Sequence, residues 1–279
     1  MTGFGERLRT VFADRGRLCV GIDPHAHLLE EWGLPASAAG AREFGLRTVD
    51  AAAGRVGIVK PQVSFFERWG SAGFAALEEV LTAARSAGLL VIADAKRGDI
   101  GTTMDAYGDA WLTPGSPLEA DALTANPFLG VGTLDHTFDL AEAHGKGVFV
   151  LAATSNADAF TAQRARLISG DTVSAGVIAE VSARNAQHTP SGHWAALGFV
   201  IGATVDWTEA GLIAPVPPAP ILGPGFGFQG AAAEDLARFG GAAPTVIVSE
   251  SRSILSAGPG SLAARIEERA NLYRSEGNA

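Results

Sequence analysis

Eight short apolar runs recur along the chain, at residues 18–23, 57–64, 89–96, 122–128, 147–155, 196–204, 219–223 and 245–249. Between them lie segments long enough to form a helix. In 72–87, Phe74, Leu77, Val80, Leu81 and Ala84 fall on one helical face, with Ser71 as a candidate cap and Gly88 as a stop. Segments 175–186, 231–239 and 261–273 have the same character. Strands alternating with helices imply parallel pairing through right-handed crossovers. The seventh run is short and flanked by prolines, so its strand pattern is the weakest. The Pro-rich stretch 214–220 is brief and reads as a loop. Eight βα units in 279 residues predict one α/β domain over 1–279, a TIM (β/α)8 barrel, in preference to an open doubly wound sheet.

Composition narrows the picture. A 47% hydrophobic content supplies a large core. The net charge of −9 argues against a nucleic-acid surface, which needs a basic face to neutralise phosphates, but leaves room for a small anion held by a local field. Cys19 is the single cysteine and lies in an apolar run, so it is expected as a small buried hydrophobe in a chain without internal disulfides. The first residues carry no apolar signal core, and no apolar stretch is long enough for a membrane span. A soluble, cytoplasmic protein is expected.

In such a barrel the chemistry sits at the C-terminal ends of the strands. Those ends supply Asp23, Lys60, Asp94 with Lys96, Thr124 with Asn126, Thr154 with Ser155, Thr204 with Asp206, a glycine-rich loop, and Ser251 with Arg252. The densest group is Asp94-Ala95-Lys96-Arg97-Gly98-Asp99. Alternation along a strand points Asp94 and Lys96 the same way, and charges on the inward face of an apolar strand are costly unless partnered. With Lys60 and Asp99 they form two cations and two anions, an array that can be buried if interleaved. Its acids favour Lys96 as a cationic proton donor. A salt-bridge network closing the barrel mouth is the structural alternative.

The run Asp94-Ala95-Lys96-Arg97-Gly98-Asp99-Ile100-Gly101-Thr102-Thr103 resembles the signature of the orotidine 5′-phosphate decarboxylase family. The resemblance extends from Gly21-Ile22-Asp23-Pro24-His25 to Ser251-Arg252. Lys60-Pro61-Gln62 and Phe65-Phe66-Glu67 are similar to the longer-chain bacterial form. It implies a TIM barrel that decarboxylates orotidine 5′-phosphate (OMP) to uridine 5′-phosphate (UMP) in de novo pyrimidine synthesis, with no metal or organic cofactor. By the same resemblance Lys96 protonates C6, and Asp94 sits beside the substrate carboxylate. Lys60 and Asp23 hold the ribose hydroxyls, Ser155 recognises the pyrimidine, and Gln229 and Arg252 bind the phosphate. Asp99 and Thr103 reach into a neighbouring subunit's site, which implies a homodimer with shared active sites. One departure is Ala152-Ala153-Thr154-Ser155-Asn156, where an arginine is expected before the serine.

Other motifs are weaker. Gly225-Phe226-Gly227-Phe228-Gln229-Gly230 fits a dinucleotide fingerprint, with Glu250 near the place of a ribose-binding acid. Too few residues follow Glu250 to complete such a domain, and a substrate-phosphate loop after the seventh strand fits better. His25-Ala26-His27 could open a metal site, but no later strand end supplies another histidine, so all six histidines read as structural or solvent-facing. Ser155 and Ser249 lie in no nucleophile elbow, and no histidine ends a strand to serve them as base. Trp111, Trp194 and Trp207 read as packing residues. A Mg²⁺-dependent phosphosugar aldolase or epimerase of the same barrel group, or a non-catalytic binder of a phosphorylated metabolite, are the alternatives to the decarboxylase.

Overall fold

The computed structural model describes residues 2–275; positions 1 and 276–279 of the expected 1–279 domain lie outside the described residues. Each predicted apolar run overlaps a strand, three of which end one residue later than the run: β1 Leu18–Ile22, β2 Ile58–Pro61, β3 Leu90–Arg97, β4 Ala122–Ala125, β5 Gly147–Ala153, β6 Leu197–Ile201, β7 Ile221–Pro224 and β8 Val246–Glu250. All neighbours pair in parallel, and β8 pairs with β1 to close the barrel. The main helices are α1 Phe4–Arg15, α2 Ala38–Ala52, α3 Gly70–Ser86, α4 Gly101–Leu112, α5 Asp135–Ala143, α6 Val173–His188 and α7 Leu262–Ser275.

Alternation along each strand divides the core into two layers. Cys19, Ile58, Ile92, Ala122, Phe149, Val200, Leu222 and Ile247 fill the lumen. Their neighbours Val20, Val59, Ala93, Leu123, Val148 and Val248 pack outward against the helices. α1 crosses the N-terminal end of the barrel and pushes Phe4 and Leu8 into the lumen cluster. There the Phe4 ring meets Phe149 edge-on, with centroids 5.8 Å apart. Cys19 is fully buried among these side chains, and the loss of solvent pushes its thiol up to about 12, so it packs as an inert hydrophobe.

Three local expectations are corrected. Segment 231–239 is not an α-helix but the start of a 3₁₀ stretch, Ala233–Thr245, broken at Gly240 and containing Pro244. These residues prevent a regular i→i−4 ladder, although the apolar spacing of Leu236 and Phe239 still buries both. Ser71 lies inside α3, whose cap position is Trp69 and carries no side-chain capping bond. The tight pair Thr172–Ala175, in which the Thr172 hydroxyl accepts from the Ala175 amide, starts α6 two residues earlier than the apolar spacing implies. Trp111 is core, as expected, and Trp207 packs partly buried against the core, with its ring edge-on to Phe239.

Candidate active site

Strand parity that fills the lumen with Ile58, Ile92, Ala122 and Ile247 carries Lys60, Asp94, Thr124 and Ser249 onto the same inward face two residues later. They emerge at the C-terminal mouth, where a cavity of about 280 Å³ is lined by Asp23, Lys60, Asp94, Lys96, Gln229 and Arg252 among others. These six are all residues singled out in the sequence.

Asp94 is the hub. Its Oδ2 accepts from Lys60 Nζ at 2.7 Å, and its Oδ1 accepts from Lys96 Nζ at 2.6 Å and from Thr124 Oγ1 at 3.0 Å. Lys60 and Asp94 side chains are only 8% and 9% exposed, whereas Lys96 is 45% exposed. Lys96 is therefore the most open member of the array, although all three line the cavity. Burial alone would raise the Asp94 carboxyl. The positive charges of Lys60 and Lys96, and their hydrogen bonds, outweigh that effect and hold it well below the usual carboxylate range. Burial would likewise lower Lys60, but the carboxylates of Asp94 and Asp23 hold its ammonium above the ordinary lysine value.

The signs fix a pH window. Asp94, depressed from 3.8, contributes stability above that value and loses it as pH falls further. Lys60, raised from 10.5, contributes stability below that value and loses it as pH rises further. The difference in urea midpoint between the wild type and a Lys60→Met/Asp94→Leu double variant should be flat from about pH 5 to 9 and change only outside it. A slope centred near neutrality would contradict this assignment.

Lys96 is also the one non-glycine residue with positive φ, at 49°, among the described residues. The β3–β4 register shifts between Ala93 and Arg97, and the Lys96 amide donates to Thr124 Oγ1 at 2.9 Å. A left-handed lysine costs roughly 1–3 kcal/mol, so the bulge spends stability to aim the ammonium into the cavity. Gln62 Nε2, just past the end of β2, steadies the same turn by donating to the Asp94 carbonyl at 3.2 Å.

At the other end of the cavity, Gly225, Gly227 and Gly230 all take positive φ and bend the loop after β7. Gln229 and Arg252 line this end, with the Arg252 guanidinium 3.9 Å from the centroid of the Phe228 ring. Asp23 Oδ1 and Ser251 Oγ are buried and have no hydrogen-bond partner among the described residues, which suits them to a ligand's hydroxyl groups.

The remaining predicted residues lie apart from this cavity. Ser155 is exposed on the loop after β5, close to Gly202, and does not line the cavity. Asp99 accepts the Ile100 amide, and Thr103 is exposed in the first turn of α4. Asp99 therefore does not join Lys60, Asp94 and Lys96 within one chain, and the expected four-charge array is three charges here. The sequence reading missed the roles of Thr124 and Gln62. Thr124 was visible as a strand end, but its task depends on a neighbour 30 residues away.

The competing dinucleotide motif resolves against its functional reading. Glu250 is buried on the outer side of β8 and bonded to Arg269, so it faces no ribose site. Among the described residues no group of three or more His, Cys, Asp or Glu could hold a metal ion. His25 packs on Phe65 with centroids 4.3 Å apart, and His188 and His193 line a depression with Glu6 and Gly3 at the opposite, N-terminal end. No helix among the described residues is long and apolar enough to cross a membrane.

Residues 16–265 match the family model described as Orotidine 5′-phosphate decarboxylase / HUMPS family. The chain is 50% identical over 266 residues to an orotidine 5′-phosphate decarboxylase of Salinispora tropica, covering 95% of this chain and 94% of that protein. It is 48% identical over 270 residues to one of Corynebacterium efficiens, covering 96% and 95%. A crystal structure assigned to the same enzyme from Streptomyces avermitilis superposes with a TM-score of 0.93 at 43% identity, covering 100% of this chain and 97% of that one.

Proposed function

This chain belongs to the orotidine 5′-phosphate decarboxylase / HUMPS family, and from that premise we propose that it decarboxylates OMP to UMP in pyrimidine biosynthesis, without metal or organic cofactor, with Lys96 as proton donor. The observation that carries the reading is the Lys60–Asp94–Lys96 array, with one carboxylate clamped between two ammonium groups at 2.7 and 2.6 Å at the edge of the cavity.

The chemistry follows from the charges. The bond from C6 to the carboxylate breaks, carbon dioxide leaves, and the bonding electron pair stays on C6. Lys96 Nζ delivers a proton to that carbon, and solvent restores the ammonium. A fixed cation at the developing carbanion needs no reorganisation during the step and is worth several kcal/mol of barrier. Asp94 holds that cation in place and sets a negative charge beside the substrate carboxylate. This helps only to the extent that the repulsion is relieved in the transition state. Lys60 and Asp23 suit the ribose hydroxyls, Gln229 and Arg252 suit the phosphate, and Ser155 meets the pyrimidine if its loop folds over the cavity mouth.

The placement of Asp99 and Thr103 supports a homodimer. The loops after β3 and β4 run side by side, since Gly98 packs directly against the Asn126 backbone. On this rim Ile100, Leu129 and Phe128 are 60%, 50% and 85% exposed. An apolar rim next to an acid that reaches no site of its own suits a second copy of the chain, into whose cavity Asp99 and Thr103 would project.

EDTA-treated wild-type protein should consume OMP and release one carbon dioxide per UMP formed, at the rate of untreated protein. Turnover that returns only with added Mg²⁺ would overturn the metal-free mechanism and favour the aldolase-type alternative. No turnover under either condition would overturn the activity and leave a binding protein.

A further inference from the structure

Glu250 ends β8, yet its side chain is 0% exposed and lies on the outward side of the strand, away from the cavity that Ser249 and Ser251 line. A carboxylate there is costly, because an apolar residue would fill the same space without desolvation. Its partners come from three separate segments. From α7, Arg269 Nη2 donates to Oε1 at 2.6 Å and Arg269 Nε to Oε2 at 3.0 Å. One helical turn later the Tyr273 hydroxyl donates to Oε1. From the short helix Arg252–Leu255, Ser253 Oγ donates to Oε2 at 2.6 Å. The third segment is the glycine loop: a Cβ on Gly227 would stand 2.7 Å from Ser253 Oγ and 2.9 Å from Glu250 Oε2. That backbone rests directly on the Glu250–Ser253 pair. Beside it the Phe226 ring meets Tyr273 edge-on at 5.9 Å.

We propose that Glu250, with Ser253, Arg269 and Tyr273, is a positioning network that seats the Gly225–Gly230 loop and Arg252 for the phosphate end of the substrate. None of the four side chains lines the cavity, so the network acts through Arg252 and the loop rather than on the ligand. Ser253 follows Arg252 directly, and fixing its hydroxyl fixes the turn from which the guanidinium projects. Saturating both carboxylate oxygens keeps the buried charge from migrating or drawing in water.

The inference rests on the proposed phosphate role of Arg252 and is tested by a double-mutant cycle read in UMP affinity by calorimetry. Ser253→Ala leaves Glu250 paired with Arg269 and Tyr273, so the protein should melt within a few degrees of wild type. UMP affinity should fall about tenfold, and by a clearly smaller factor when the same change is made in Arg252→Ala, the remainder being the share carried by the loop. Tyr273→Phe keeps the Phe226 contact and should show the same dependence on Arg252. An undiminished loss in the Arg252→Ala background, or no loss in the wild-type background, overturns the proposal. Because the cycle is read in affinity, failure of the wild type to turn over OMP would sink the proposed activity without deciding this point.

Discussion

Lys96→Ala should lower kcat for OMP by at least about 10⁴-fold, combining the loss of a general acid with the loss of the charge that stabilises the carbanion. UMP affinity should change far less, within about tenfold, because the phosphate and ribose contacts are untouched. This split separates the decarboxylase reading from that of a passive binder, in which Lys96 would matter to affinity and to nothing else. The backbone supplies an internal control. Lys96 is held at φ 49°, a conformation that glycine adopts without strain and alanine does not. Lys96→Gly should therefore be as inactive as Lys96→Ala but more stable by about 1 kcal/mol. If either variant kept wild-type kcat, Lys96 would have no part in the proton transfer. If the glycine variant were the less stable of the two, the account of strain at the bulge would fail.

That bulge shows where the sequence is legible and where it stops being so. The pairing of Asp94 with Lys96 follows from their spacing, and the structure bears it out at 2.6 Å. The same parity argument places Lys60 on the inward face beside Asp94, because β2 and β3 are neighbours in a parallel barrel. The bend that presents Lys96 is not readable, since it depends on Thr124 receiving the Lys96 amide from the next strand. Sequence spacing reports periodicity, and a register shift is a property of two strands together. Segment 231–239 fails for a local reason. Its apolar spacing suits an α-helix and a 3₁₀ stretch alike, and Gly240 with Pro244 decides between them. Glu250 stood near the place of a ribose-binding acid only by its spacing from the Gly225–Gly230 motif. Its parity with Val248, which packs outward, already assigned it to the helical layer. Ser155 lies past the end of β5, where alternation no longer dictates direction.

Mixing Lys96→Ala with Asp99→Ala, each inactive alone, should restore about a quarter of wild-type activity once the subunits have exchanged. The arithmetic is set by the proposed topology. Random exchange makes half the dimers hybrid. In a hybrid one site receives both damaged residues, while the other receives Lys96 from one chain and Asp99 from its partner. One intact site in two, in half the dimers, gives the quarter, provided sites act independently. The observation behind this expectation is that, among the described residues, Asp99 binds only its neighbour's amide, Ile100, and stands outside the cavity of its own chain. Were Asp99 to swing into its own site instead, every hybrid site would carry a lesion and nothing would return. The apolar rim gives the experiment its own check that exchange is possible. Phe128→Glu, at an 85% exposed position, should leave the barrel folded and shift the protein towards monomers in sedimentation. It should also lower activity by weakening delivery of Asp99, and the loss should shrink as protein concentration rises. Recovery near zero despite labelled subunits demonstrably exchanging would confine Asp99 to its own chain. Lys96 would then have both of its acids, Asp94 and Asp99, from its own chain.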